Sequence, residues 1–144
     1  MVINGTCLDY LAESFMAGDP LNGGGFVVLN GIGFSDDDGS IRELESPYPG
    51  SNIVSLASGG APYIRDPFNQ LVDEQLNGGE LVPLSDVDWN LILPYLPENE
   101  RLFDISIEPD LLTVDGALRP PAEVYRKVHP VKLAVLTQVE DAWE

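Results

Sequence analysis

Ser58 and His129 are the residues of this sequence whose types could support covalent hydrolysis. A nucleophilic serine needs a base within hydrogen-bond reach, and His129 is the only histidine among the 144 residues. Gly59 and Gly60 follow the serine, and their N–H groups could stabilise an oxyanion. The surrounding letters "LASGG" lack the G-x-S-x-G pattern of a nucleophile elbow. A small esterase-like hydrolase that uses Ser58 and His129 is therefore an alternative hypothesis.

A glycine-rich stretch, "GGGFVVLNGIGF" at residues 23–34, raises the question of a nucleotide-binding loop. A dinucleotide site needs G-x-G-x-x-G between a strand and a helix, because the helix N-terminus holds the pyrophosphate. Here Gly31-Ile32-Gly33 is soon followed by three carboxylates, Asp36–Asp38, and by no helical pattern. A P-loop needs Gly-Lys-Ser/Thr, but the nearest lysine is Lys127. We therefore expect glycines that shape corners, and neither a nucleotide nor another cofactor.

Metal chemistry has little support in the sequence. The run Asp36-Asp37-Asp38-Gly39 is a fragment of a calcium loop, but the full D-x-D-x-D-G-x5-E spacing is missing. A solvated turn is the expected structure there. Cys7 is the only cysteine, which excludes an internal disulfide and a cysteine-rich zinc site. No metal site is predicted.

Two pairs of nearby carboxylates, Glu43 with Glu45 and Asp86 with Asp88, could in principle do acid–base work. Nothing in the neighbouring sequence marks either pair as catalytic, and both are expected to face solvent. Ser85 with Asp88 three residues later indicates instead the start of a helix with a capping box.

The charge balance is the most unusual property of the chain, which has 24 acidic residues, 7 basic residues and a net charge of −17. Such a chain repels phosphate, so neither nucleic acid nor an anionic membrane is expected as a partner. The acidic surface either keeps the protein soluble or binds a basic protein. No apolar run approaches the roughly 18 residues of a membrane helix, and the first residues lack a basic signal-peptide region. A soluble, cytoplasmic protein is expected.

Two echoes in the first half of the chain indicate repeated short strands between glycine corners. Residues 2–5, "VING", are echoed by residues 28–31, "VLNG". Residues 24–28, "GGFVV", are echoed by residues 59–64, "GGAPYI". Short strands separated by glycine corners favour a solenoid, in which each unit buries its apolar face on the next. Residues 34–52 contain turn residues and would form an irregular insertion.

The sequence pattern changes after residue 66 from short glycine-flanked apolar runs to segments with helical spacing, although no linker separates the two parts. Residues 67–79 predict a short helix or a turn that ends at glycine. Apolar residues from Trp89 to Leu96 have helical spacing, and Pro94 and Pro97 would kink or end that helix. Residues 110–128 predict a strand, a turn at residues 114–116 and a return. The interpretation is one domain, with β-helix turns in residues 1–66 and a mixed helix and strand extension in residues 67–144.

Residues 4–31, "NGTCLDYLAESFMAGDPLNGGGFVVLNG", and residues 56–67, "LASGGAPYIRDP", resemble the GXGXG domain of the large subunit of glutamate synthase. The family pattern of glycine, Gly-Asp-Tyr, Gly-Gly, alternating strand residues and glycine is similar to Gly5, Asp9-Tyr10, Gly24-Gly25 and Gly31. Leu8 departs from this pattern, because the family has glycine there. Related domains occur as stand-alone archaeal proteins.

The resemblance implies a mainly β fold, a right-handed parallel β-helix, and a structural role without catalytic residues. It implies structural glycine corners at Gly5, Gly24, Gly25, Gly31, Gly59 and Gly60. The implied partners are glutamate-synthase-like subunits, an amidotransferase and a synthase in nitrogen metabolism. An alternative is a component that resembles the related domain of formylmethanofuran dehydrogenase. Family members carry more turns upstream, and an open end of the solenoid would favour homo-oligomers.

Overall fold

The computed structural model of the protein describes residues 1–6, 18–45, 47–50, 60–76 and 79–130. The strands in these ranges are β1 (Val2–Ile3), β2 (Phe26–Leu29), β3 (Ile32–Phe34), β4 (Ile41–Glu43), β5 (Ala61–Arg65), β6 (Gly79–Val82), β7 (Thr113–Val114), β8 (Ala117–Leu118) and β9 (Tyr125–Pro130). The α-helices there are α1 (Asp73–Leu76), α2 (Asp86–Ile92), α3 (Leu96–Phe103) and α4 (Pro121–Val124). Short 3-10 turns (Pro20–Asn22, Leu93–Tyr95) and a π-helical turn (Ile107–Leu112) lie between them.

A five-stranded sheet in the order β1-β2-β5-β9-β6 forms the centre of the described chain. β1, β2 and β5 run parallel, whereas β9 runs antiparallel to both of its neighbours, β5 and β6. Two hairpins, β3–β4 and β7–β8, form separate two-stranded sheets. The sheet therefore combines early strands with one from beyond residue 124.

The two segments that make up each sequence echo pair with each other in this sheet. Residues 2 and 3 pair with residues 28 and 29, and residues 26–29 pair with residues 61–64. The pairing continues past the strand ends, where the Gly31 N–H donates to the carbonyl of Gly5 at 2.9 Å. The repetition in the sequence thus corresponds to the register of parallel strands.

Both faces of the sheet are buried, which explains why its central strands lack an alternation of apolar and polar residues. Val27, Leu29 and Ile64 belong to a cluster on one face, whereas Val28 and Tyr63 belong to a cluster on the other. α1 contributes a side chain to the first cluster, and α2 contributes one to the second. Every residue of β5 is buried, so this strand is the middle of the core.

The β-helix expected from the resemblance is wrong: the described residues form a mixed α/β fold around one sheet and contain no β-helix or solenoid. In a solenoid each unit contacts only its neighbours in sequence. Here β9 pairs with β5 although about sixty residues separate them, and the chain between β2 and β5 forms the β3–β4 hairpin. Glycine corners and short apolar runs occur both in solenoids and in parallel strands buried on two faces, so the pattern could not distinguish them.

The predicted capping box at Ser85 and the break at Pro94 are confirmed, whereas Pro97 lies in the first turn of α3 and ends no helix. The Ser85 hydroxyl accepts from the backbone N–H of Asp88 at 3.1 Å, and the Asp88 carboxylate accepts from the Ser85 N–H at 3.1 Å. This reciprocal capping box fixes the first turn of α2. α2 ends at Ile92, immediately before the 3-10 turn that contains Pro94.

The predicted turn at residues 114–116 is confirmed as the tip of the β7–β8 hairpin, in which Val114 pairs with Ala117. The predicted strand from Asp110 is wrong at its start, because residues 107–112 form a π-helical turn. That turn is closed by a bond of 3.2 Å from the Leu111 N–H to the Ser106 carbonyl. The strand begins only where this turn ends.

Two of the predicted glycine corners require glycine. Gly31 has φ +62, and a Cβ there would overlap the hydroxyl of Tyr48 and lie 2.7 Å from its Cζ. A Cβ on Gly24 would lie 2.5 Å from the carbonyl carbon of Gly18. Both positions therefore combine a corner with close packing, which only glycine permits.

We predict that Gly31→Ala destabilises the protein by at least about 2 kcal/mol, because a left-handed backbone strain is added to overlap with a buried tyrosine. The matched control is Gly5→Ala, since no described atom lies within 4 Å of a Cβ at Gly5. The control should change stability by less than about 0.5 kcal/mol. Urea unfolding of both variants measures the difference, and equal midpoints would contradict the structure at this corner.

Candidate functional site

Asp88 is the centre of a buried polar cluster that the sequence did not predict. It was expected to face solvent, but it is 2% exposed. Its carboxylate accepts from the Tyr63 hydroxyl at 2.8 Å and from the Lys127 ammonium at 2.9 Å. The same carboxylate accepts from the Ser85 hydroxyl at 2.7 Å. The cluster connects α2 to β5 and β9 through one carboxylate.

The electrostatics of this cluster fit a structural role. Burial acts to raise the pKa of Asp88, but hydrogen bonds from Lys127, Ser85 and Tyr63 outweigh it, so that the pKa is lowered. Burial and the adjacent Asp88 raise the pKa of Tyr63 well above its usual range. The carboxylate thus stays ionised and the phenol stays protonated near neutral pH. Neither group is tuned for proton transfer at that pH.

Arg65 is a second buried charge, 1% exposed, at the end of β5. Its Nε donates to the Leu111 carbonyl at 2.8 Å, and its Nη1 donates to Glu43 at 2.9 Å. Nη2 lies 2.7 Å from the other oxygen of Glu43, outside the favourable hydrogen-bond direction. Glu43 itself is exposed, as expected, and it also pairs with this buried guanidinium. The ion pair ties β4 to the sheet, and the bond to Leu111 ties the π-helical turn to it.

A third polar cluster joins three asparagines and a tyrosine. Asn4 and Asn99 exchange two amide hydrogen bonds of 2.8 and 2.9 Å, and Asn30 donates to Asn4 at 2.9 Å. The Tyr125 hydroxyl donates to Asn30 at 2.6 Å, and burial raises the pKa of this phenol. Asn4 and Asn30 occupy equivalent positions of the first sequence echo. Asn99 comes from α3, and no sequence signal marked it as their partner.

The residues of the hydrolase hypothesis are not brought together in the described part of the chain. Ser58 lies outside the described residues, as does Gly59. His129 is exposed on β9, where its Cα lies opposite Glu80 of β6. No described carboxylate forms an ion pair with this histidine. The hypothesis stays a prediction.

Two further predicted glycine corners, Gly25 and Gly60, lie beside the sheet. Gly60 donates its N–H to the Gly18 carbonyl at 2.6 Å, and Gly25 accepts from the Ala61 N–H at 3.3 Å. Gly24 and Gly25 also line a cavity of about 360 Å³ next to Phe26 and Tyr95. No lysine or arginine of the described chain lines it.

A larger groove, with a volume of about 480 Å³, lies where β6 leaves β9. Residues 81–84 form its apolar wall, and Ala122 and Tyr125 also line it. Arg119, Glu123, Arg126 and Asn69 supply the polar groups. We call this site the two-arginine groove. A smaller cavity of about 200 Å³ shares Leu84 and Ala122 with it and is also lined by Trp89, Pro120 and Pro121.

The charges of the two-arginine groove differ in how they are paired. Arg126 donates from Nη1 to Asp66 at 3.0 Å and to the Leu71 carbonyl at 3.4 Å. Arg119 and Glu123 form no side-chain hydrogen bond and no ion pair with any described residue. An unpaired, half-buried arginine is notable in a chain of net charge −17. The groove can therefore offer guanidinium N–H groups to an anionic ligand.

The sequence carries a signal for this groove, although the motifs considered above do not include it. Four of the seven basic residues fall between residues 119 and 132, namely Arg119, Arg126, Lys127 and Lys132. A local concentration of scarce cations indicates a place where negative charge is bound. The fold then directs one of them, Lys127, to Asp88 and two to the groove.

The comparisons with known proteins give no identity. No protein-family description, curated protein or solved structure matches the chain. In the ranges that the structure describes, no cluster of three or more histidine, cysteine, aspartate or glutamate side chains could hold a metal ion. None of the helices in those ranges is long and apolar enough to cross a membrane.

We predict that Asp88→Asn destabilises the protein by about 3 kcal/mol at pH 7, because Lys127 loses its ionised partner inside the structure. Since the pKa of Asp88 is lowered from its ordinary value of 3.8, its contribution is present above that value. It is lost as the pH falls through the lowered pKa. The difference in the free energy of unfolding between wild type and variant should therefore decrease below about pH 4. Urea unfolding from pH 7 to pH 3 measures this difference.

The matched control is Asp86→Asn, which removes an exposed acid from the same first turn of α2. Its effect should stay below about 1 kcal/mol, because it only changes an interaction with the helix dipole. If the difference in the free energy of unfolding between wild type and Asp88→Asn stayed constant down to pH 3, the carboxylate charge would not be the stabilising feature.

Proposed function

We propose that the protein is a non-catalytic binding component that recognises a positively charged surface of a protein partner. One observation carries the proposal: most described carboxylates are exposed, whereas only Arg42 and Arg101 among the described lysines and arginines are. Arg101 is itself paired with Glu98 on the same helix. The surface of the described chain is therefore acidic with little local compensation.

The lysines and arginines are scarce on the surface because the fold uses them internally. Arg65 pairs with Glu43, Arg126 with Asp66 and Lys127 with Asp88. Each of these pairs joins separate elements and contains at least one group with a side-chain exposure of 4% or less. Structural pairing thus removes cations from the surface and leaves the excess carboxylates facing solvent.

An acidic surface of this kind favours a basic protein over other partners. Complementary charge speeds encounter and suppresses partners of the same sign. Nucleic acid and anionic membranes carry the wrong charge for it. The buried polar clusters are engaged in hydrogen bonds between elements, which supports a binding role over catalysis by those groups.

The identity of the partner remains a prediction from the resemblance. Glutamate-synthase-like subunits, an amidotransferase and a synthase, are the partners that it implies. The correction of the β-helix removes one support for that resemblance, because the implied fold is not the one formed. Self-association, a component of a formylmethanofuran dehydrogenase type, and the hydrolase that uses Ser58 and His129 also stay predictions.

The test is affinity purification of the full chain from its native cells, followed by binding kinetics with each purified partner. We expect the association rate to fall by roughly tenfold between about 50 and 300 mM salt, with a smaller change in the dissociation rate, because steering is screened by salt. Asp36→Asn combined with Asp37→Asn should lower the association rate at low salt, since both side chains are exposed.

Arg42→Gln is the control of opposite sign, because it removes an exposed cation from the same hairpin. It should leave the association rate unchanged or raise it. Recovery of amidotransferase or synthase subunits would support the predicted partners. Association rates that depend neither on salt nor on these charges would refute the proposed function.

A further inference from the structure

We propose that the two-arginine groove binds the C-terminal end of a basic polypeptide, whose α-carboxylate contacts Arg119 and Arg126. This inference deepens the proposed function and rests on it for the basic character of the partner. The acidic surface attracts the partner, and the two-arginine groove is the site that recognises it.

The two arginines are suited to a carboxylate. Planar guanidinium groups bind carboxylates through two parallel N–H···O bonds. Arg126 is held through Nη1, and no described residue bonds its Nε or Nη2. Arg119 carries a whole guanidinium without a described partner. Two cations on one groove thus have donors left for a ligand.

The walls beside these arginines are fixed before a ligand arrives. The Asp66 carboxylate accepts from the Gln70 N–H at 2.8 Å and from the Leu71 N–H at 3.0 Å, and it also binds Arg126. These bonds hold the loop that presents Asn69, which has φ +54. The Arg119 backbone N–H donates to the Leu112 carbonyl at 2.9 Å. A preformed site loses less conformational entropy on binding.

The size and lining of the groove favour a peptide end over a free small anion. A volume of about 480 Å³ lies within the range of sites that bury a drug-sized ligand, which is far larger than a single inorganic anion. Residues 81–84 form an apolar wall along it, which a chloride or phosphate ion would leave uncovered. The adjoining cavity beside Trp89 has room for one apolar side chain of the same peptide.

The acidic groups around the groove select the rest of the peptide. Glu123 lies on the groove without a described cation, and Asp86 lines the adjoining cavity. A lysine or arginine upstream of the peptide's carboxylate can pair with either of them. A peptide that carries acidic side chains would be repelled by the same groups and by the net charge of −17. The combination therefore favours a basic segment that ends in a free carboxylate.

The experiment uses the full chain and two libraries of random hexapeptides, one with free C-terminal carboxylates and one with amidated C-termini. We expect hits from the free-acid library, enriched in lysine and arginine before the terminus. The amidated forms of those hits should bind at least about tenfold more weakly, since a charge-assisted hydrogen bond is lost. Fluorescence anisotropy with the individual labelled peptides measures the dissociation constants.

Arg119→Gln should weaken the binding of the free-acid peptides by about tenfold to a hundredfold and leave the affinity for their amidated forms unchanged. Because no described residue bonds the Arg119 side chain, this variant should keep the wild-type urea midpoint. Arg119→Lys should restore part of the affinity, since lysine keeps the positive charge but lacks the planar guanidinium that forms two parallel hydrogen bonds. Arg42→Gln makes the same charge change away from the groove and should not affect the hits.

Several results would overturn the inference. They are an absence of hits, equal binding of acids and amides, hits unaffected by Arg119→Gln, or hits without basic residues. Free lysine is an additional probe, and affinity for it equal to that of the best peptide would assign the groove to an amino acid instead. If the salt dependence of partner binding persists in any of these cases, the proposed function stands and only the groove is wrongly assigned.

Discussion

The antiparallel pairing of β5 with β9 is the contact on which the other features of the structure depend. It places Tyr63 opposite Lys127 and Arg65 opposite Tyr125. The first pair brings Lys127 to Asp88, and the second sets the end of the sheet where β6 separates from β9. The buried cluster and the two-arginine groove therefore lie along the same strand. A shift of β9 by one residue would exchange its two faces and disrupt both.

Local features of the sequence predicted local structure well. The capping box at Ser85, the break at Pro94 and the turn at residues 114–116 follow from chemistry within a few neighbouring residues. The echoes at residues 2–5 and 28–31 marked strands that pair in register. They did not reveal how the sheet continues, because the next strand, β9, shares no pattern with them. A sequence repeat identifies only the strands that resemble one another and gives no information about a strand with a different sequence.

The candidate site was less predictable, because its members depend on contacts distant in sequence. Nothing near Asp88 shows that Lys127 will reach it, and so a side chain expected in solvent is buried. Asn99 joins Asn4 across 95 positions of sequence. Arg119 and Arg126 meet on one groove only because the α4 turn leads into β9 beside β6. The scarcity of basic residues was the one global signal, and it indicated where to look without giving the geometry.

The position of β9 in the chain also has a consequence for how the protein acquires its structure. β5 lies in the middle of the sheet, yet its partner on one side is separated from it by about sixty residues. Closing so long a loop costs chain entropy before the strand pairing compensates for it, and such non-local contacts slow folding. During synthesis, one edge of β5 is complete only after the segment up to β9 has been made. Until then this apolar strand presents an open edge, and folding speed competes with self-association of nascent chains.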